Sequence, residues 1–260
     1  MHYETPERAR ELGGLRLALT VGVPAPWGEA AKALCHVRQI EYTPVAQLAG
    51  ESNDALYAWT GVRNAPVAVW ADEPPRVGWL DILMLIERIG SGPSLLPTDS
   101  ALRAECIGIG NEICGESGFG WSRRLMILGK MFDGMLEGDR SALPAGAARM
   151  LADYRVQADE VARAPERVAD ILRMLAARLA SQQAAGSAYL VGDALSAADI
   201  YWAAFSNMVE PLPEADNPMP TQIRALYEDV FGPAAEALDP ALIAHRDRIY
   251  REHLALPLQF

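Results

Sequence analysis

Up to about residue 90 the chain alternates strand-like and helix-like segments, and nearly everything beyond reads as helix. This division restricts the fold more than any other feature. Mixed strands and helices followed by helices alone imply an α/β layer joined to an all-α unit, not one sheet running through the whole molecule. With 260 residues the chain is long enough for two ordinary domains. Alternating apolar residues predict a strand from Leu15 to Val21, followed by a Gly/Pro-rich turn from Gly22 to Pro26. Trp27, Ala30, Ala31 and Leu34 recur at helical spacing and predict an amphipathic helix from Trp27 to Arg38. Strands at Ile40 to Ala46, Pro66 to Trp70 and, briefly, Arg76 to Gly78 follow, with a short helix at Asp54 to Trp59 and a longer one at Trp79 to Ile89. The order is β-α-β-α-β-β-α over residues 14–90.

Residues 91–99, rich in Gly, Pro and Ser, read as a linker. Residues 100–260 form the helical unit, with helices expected over 100–137, 145–162, 165–183, 197–209, 221–230 and 240–254. Pro165 is expected in the first turn of its helix, where its missing N–H costs nothing. Three glycines between Gly115 and Gly120 are expensive in a helix and predict a kink, a break or a close approach of another segment.

Charge and composition exclude several classes. Lys and Arg total 23 against 34 Asp and Glu, a net charge of −11, which repels phosphate backbones and argues against nucleic acid as a partner. The three cysteines, Cys35, Cys106 and Cys114, show no C-x-x-C spacing, so neither a disulfide framework nor a zinc ribbon is expected. A reducing, cytoplasmic setting fits this usage. The polar first fourteen residues carry no secretory apolar run, and no stretch of 18 apolar residues predicts a membrane span. His36, His245 and His253 are scattered, without H-E-x-x-H spacing, so no metal site is expected. Neither a phosphate-binding glycine loop nor Gly-x-Ser-x-Gly is present.

Two motifs remain. Asn64-Ala65-Pro66-Val67 precedes the third strand; Pro66 is either a cis proline making a rigid corner or a trans proline opening the strand. Tyr189 to Ile200, Y-L-V-G-D-A-L-S-A-A-D-I, reads as a glycine-aspartate turn before a capped, buried helix. Ser196 is its N-cap and Asp199 its N3 residue in a capping box, with Leu195 and Ile200 placed as the hydrophobic staple. In their β-α-β-α-β-β-α and helical settings these two strings resemble the glutathione S-transferase superfamily: a thioredoxin-like N-terminal domain with an all-helical bundle behind it. The resemblance spans residues 15 to about 206, and the last fifty residues match nothing in it.

That resemblance implies glutathione as co-substrate and a small-molecule electrophile as partner. Ala65 and the cis Pro66 would offer main-chain groups to the cysteinyl part of the tripeptide. The family activates the thiol with a Tyr or Ser hydroxyl, or uses a Cys, at the end of the first strand or the start of the first helix. Here Ala25 stands at that position, without donor or thiol. Thr20 or the Trp27 indole N–H would be the remaining donors; otherwise Thr20 is an ordinary strand residue and Trp27 packs at the domain interface. Where the family places Glu/Gln-Ser to hold the γ-glutamyl carboxylate, this chain has Gly78 and Trp79, with Asp81 close behind. Trp79 is thus the residue at the glutathione-holding position. The first helix of the second domain would line the electrophile pocket with Glu112, Trp121 and Arg124, unless that stretch is a bend with Arg123 and Arg124 solvated or ion-paired. The surplus of apolar residues on the helix Trp79 to Ile89 predicts burial against the helical domain or a second subunit, and the resemblance implies a homodimer. Two functional readings stand open: glutathione-dependent transfer, or a binding or scaffold protein that keeps the fold but has lost the site.

Overall fold

The computed structural model describes residues 1–132, 143, 145–154 and 156–260. A short helix α1 (Pro6–Ala9) precedes β1 (Leu15–Thr20), α2 (Pro26–Val37), β2 (Tyr42–Gln47), α3 (Asp54–Thr60), β3 (Val67–Trp70) and α4 (Trp79–Ile89). The sheet has the order β2-β1-β3, with β1 parallel to β2 and antiparallel to β3. Central β1 is buried along Leu15, Leu17, Ala18 and Leu19, as a strand covered on both faces must be. The segment Arg76 to Gly78, expected as a strand, forms a single antiparallel bridge between Ala68 and Arg76. Pro74 and Pro75 before it lack N–H groups, and α4 begins immediately after Gly78, so no ladder extends.

The helical half comprises α5 (Ser100–Cys114), α6 (Phe119–Met131), α7 (Ala145–Asp153), α8 (Ala158–Ala184), α9 (Ala197–Phe205), α10 (Thr221–Glu228), α11 (Pro233–Glu236) and α12 (Pro240–His253). The single helix expected over 100–137 is broken between α5 and α6 at the glycine-rich stretch 115–118; residues 133–137 of that expectation lie outside the described residues. Helices expected over 145–162 and 165–183 divide elsewhere. The break falls before Ala158, and α8 runs unbroken through Pro165. Proline there removes one helical hydrogen bond. The packing of Ala164, Val168, Ile171, Leu172, Leu175 and Leu179 into the core offsets the loss.

Segment 90–99 is clamped, not loose. The Arg38 guanidinium donates to the carbonyls of Glu87 (3.0 Å), Gly90 (2.8 Å) and Gly92, while the Ser91 and Gly92 N–H groups return to Arg38 O. Ile82, Leu83, Leu85 and Ile86 of α4 are already buried within the single chain, which leaves Leu80 and Met84 half-exposed.

The signature around α9 forms one buried network. Asp199, fully buried, accepts from the Ser196 N–H (3.0 Å) and hydroxyl (2.8 Å) and from the Leu190 N–H (2.8 Å). From the terminal stretch, His245 Nε2 lies 2.9 Å from Asp199 Oδ1. Arg248 donates to His245 Nδ1 (3.4 Å), which leaves Nε2 as the donor to the carboxylate. The Trp202 indole N–H donates to Leu242 O (2.9 Å), so the last fifty residues are built into the core through α9.

Candidate functional site

Between the sheet-bearing half and the helices lies a cavity of about 390 Å³. Its floor is the start of α2. Ala25 is the N-cap, with extended backbone and no side-chain cap, and Pro26 occupies the first helical position. The first bonded N–H of the helix is that of Glu29; those of Trp27 and Gly28 have no acceptor among the described residues. Such a helix start attracts negative charge. On the same cavity lies Ala65, whose peptide to Pro66 is cis. Its main-chain N–H and C=O have no partner among the described residues.

Both candidate thiol donors line this cavity and both are engaged elsewhere. The Thr20 hydroxyl donates to Gln47 Oε1 (2.8 Å), and Gln47 is held in turn by its amide N–H on Leu48 O (3.2 Å). The Trp27 indole N–H donates to Cys114 O (2.9 Å) at the end of α5, a strut between the two halves. The Trp27 ring meets Phe205 edge-on at 4.8 Å and carries the Arg124 guanidinium on its face at 4.3 Å. Gly120 makes this approach possible: a Cβ there would overlap the Phe205 ring and stand 3.0 Å from Trp27.

Arg124 also lies against Tyr154 (4.7 Å) and Trp121 (5.9 Å) and lines the cavity. Its neighbour Arg123 points the other way, into the core, and donates to the carbonyls of Met208 (2.9 Å), Leu226 (2.9 Å), Tyr227 (3.2 Å) and Asp229 (3.1 Å). Burial lowers its pKa to about 10, so it stays cationic at neutral pH. Among the described residues neither arginine has an ion-pair partner; the helix does break at the glycines, with Arg123 buried and Arg124 half-exposed.

The remaining expected site residues are placed elsewhere. Trp79 does not line the cavity. It turns into the domain interface, edge-on to Tyr201 (5.5 Å) and over Gly110, where a Cβ would come within 2.9 Å of its ring. Pro66 faces a small void beside Trp27 and Trp79. Glu112 is ion-paired with Arg167 of α8 at 2.7 Å, and Trp121 faces a groove against α8 near Glu160 and Arg163. Asp81 folds back over the first turn of α4: a Cβ on Gly78 would lie 3.2 Å from its Oδ2. The cysteines are buried. Desolvation pushes Cys35 up to about 12 and raises Cys106 and Cys114, so no chain thiol is poised as a nucleophile. Asn64, the first residue of the motif before β3, lines the cavity; Gln47, Asn53, Arg63, Arg149, Tyr154 and Tyr227 line it too and were not singled out from sequence. The two basic residues among them, Arg63 and Arg149, carried no spacing signal, because one comes from the loop before β3 and the other from α7.

Comparison with known proteins agrees with this geometry. Residues 140–232 match the family model for the glutathione S-transferase C-terminal domain. A β-etherase from a Sphingobium strain aligns at 18% identity over 91% of this chain and 94% of its own, with a TM-score of 0.64. A glutathione S-transferase of Methylobacterium radiotolerans, solved with glutathione sulfonate, aligns at 15% identity over 92% and 91%, TM-score 0.61. A rice glutathione S-transferase, solved with glutathione, aligns at 20% identity over 94% and 92%, TM-score 0.58. No curated protein matches the chain. A thioredoxin-like α/β unit backed by a helical bundle, with a cavity at their junction, defines the class. Residues 140–232 carry the glutathione S-transferase C-terminal domain, and the chain as a whole has the fold of solved glutathione S-transferases. Among the described residues no helix is long and apolar enough to cross a membrane, and no group of metal-ligating side chains is found.

Proposed function

We propose that this chain binds glutathione along Ala65 and joins it through its sulfur to a small electrophile held in the interdomain cavity. The observation that carries the reading is that Ala65, with its open main-chain groups, and Trp27, with its unbonded main-chain N–H at the start of α2, line one cavity. An extended peptide takes up such groups as an added strand does. The free N–H groups and the dipole of α2 favour a thiolate over a thiol, which supplies the nucleophile without a hydroxyl at position 25. The thiolate attacks the electrophilic carbon, a C–S bond forms, and the leaving group departs with the electron pair. Thr20 and Trp27 enter as supports: one fixes Gln47 and the other joins the domains.

One observation favours the second reading, a scaffold without catalysis. Asp81 occupies the start of α4, where a γ-glutamyl carboxylate would otherwise be received, and repels it. Thermal melting with and without millimolar glutathione separates the two. At 100 times its dissociation constant a ligand adds about 2.7 kcal/mol, and on the transfer reading the melting temperature rises accordingly. An unchanged melt leaves the scaffold. A homodimer through α4, with Leu80 and Met84 at its seam, belongs to the same proposal, and light scattering at micromolar concentration tests it.

A further inference from the structure

The interdomain cavity holds a cation without an ion-pair partner among the described residues. Arg123 and Arg124 are adjacent on α6 but are held differently. Arg123 spends its N–H groups on four carbonyls. Arg124 makes no hydrogen bond and no ion pair among the described residues, and is held by the ring faces of Trp27 and Tyr154. Aromatic faces orient a guanidinium and attract it, but they neither neutralise it nor accept from its planar fork of donors. A half-buried guanidinium with its donors unused is costly unless an anion completes it. The wall beside it is apolar, built from Ile127, Leu128, Met131, Met208, Ile223 and Leu226. Arg63, Arg124 and Arg149 line the cavity against one carboxylate, Glu51, and Arg63 is already paired with Asp54. In a chain of net charge −11 the cavity therefore carries the opposite sign from the molecule as a whole and draws anions inward.

Resting on the reading of this cavity as the electrophile's pocket, we propose that the second substrate is an organic acid. Its apolar body lies on the wall formed by α6 and α10, and its carboxylate pairs with the fork of Arg124. A planar guanidinium and a carboxylate match in bidentate geometry.

The test uses the full chain and two probes with the same body, 2-naphthoate and 2-naphthamide, titrated by calorimetry and by tryptophan fluorescence, with glutathione titrated separately. The unmodified chain is expected to bind the acid at least about tenfold more tightly than the amide, and Arg124→Gln to abolish that preference while changing amide affinity less than about twofold. Arg124→Lys is expected to keep part of it. Equal affinities on the unmodified chain overturn the proposal, and that comparison does not depend on any variant folding. A preference for the acid that survives in Arg124→Gln also overturns it, as does a loss of glutathione affinity in that variant, which would assign the guanidinium to the tripeptide. Absence of glutathione binding alongside an intact preference for the acid supports the acid site and sinks the transfer reading alone.

Discussion

Replacing Trp27 by phenylalanine separates two roles that the indole N–H could play. In the structure that N–H donates to Cys114 O across the two halves, at 2.9 Å. Phenylalanine keeps a ring for Phe205 and Arg124 but strands the carbonyl. A lost hydrogen bond costs about 1 kcal/mol, and a buried acceptor left unmade raises the total to about 2–3 kcal/mol. For a chain of this size each kcal/mol moves the melting temperature by about 2–4 °C, so Trp27→Phe is expected to melt about 5–10 °C lower. The thiol of bound glutathione is expected to titrate as in the unmodified chain. The assay is a calorimetric melt beside a conjugation rate measured well below the variant's melting temperature. An unchanged melt with kcat reduced tenfold or more (about 1.4 kcal/mol of transition-state stabilisation) would make Trp27 a thiol donor and refute the strut.

Thr20→Val removes the bond to Gln47 and is expected to cost about 1 kcal/mol of stability while changing kcat/KM less than about threefold; steady-state kinetics with a generic electrophile checks this. Asp199→Ala strands four donors in the core and is expected to destabilise the chain by about 3–5 kcal/mol, read as a large drop in denaturant midpoint at constant slope. The buried thiols give an alkaline prediction. Burial raises the folded pKa of Cys35 from 9.0 to about 12, so above pH about 9 the unfolded chain releases protons that the folded chain keeps. Stability contributed by that thiol is full below the unfolded pKa and falls by about 1.4 kcal/mol per pH unit above it, which urea titrations at pH 8 to 10 will show. The native chain is likewise expected to resist thiol alkylation until it unfolds.

The strands and helices of the first unit were legible because each is a local pattern: Leu15, Leu17 and Leu19 alternate, and Trp27, Ala30, Ala31 and Leu34 recur by turns. The brief strand at Arg76 was not, because a single bridge and a strand look alike in three residues. Pro165 misled for a related reason. Proline ordinarily marks a helix start, and only the long buried face of α8 shows why the helix continues through it. The site was half legible. Ala25 and Ala65 were reached through the family resemblance that the motifs carry, and both line the cavity. The employment of Trp27 does not, since its partner Cys114 lies 87 residues away. Arg124 was named from its helix, but its aromatic box needs Trp27 and Tyr154, on two other segments, to be brought to it.

On the proposed function, the start of α2, with no side-chain hydroxyl at position 25, stabilises a glutathione thiolate beside Ala65. The most direct measurement is the ultraviolet thiolate absorbance of glutathione, followed against pH with the chain in excess and with the chain omitted. Free thiols titrate near about 8.5, and the bound thiol is expected to titrate at least about one unit lower, in the unmodified chain and in Thr20→Val alike. A bound thiol that titrates with the free one would contradict the account.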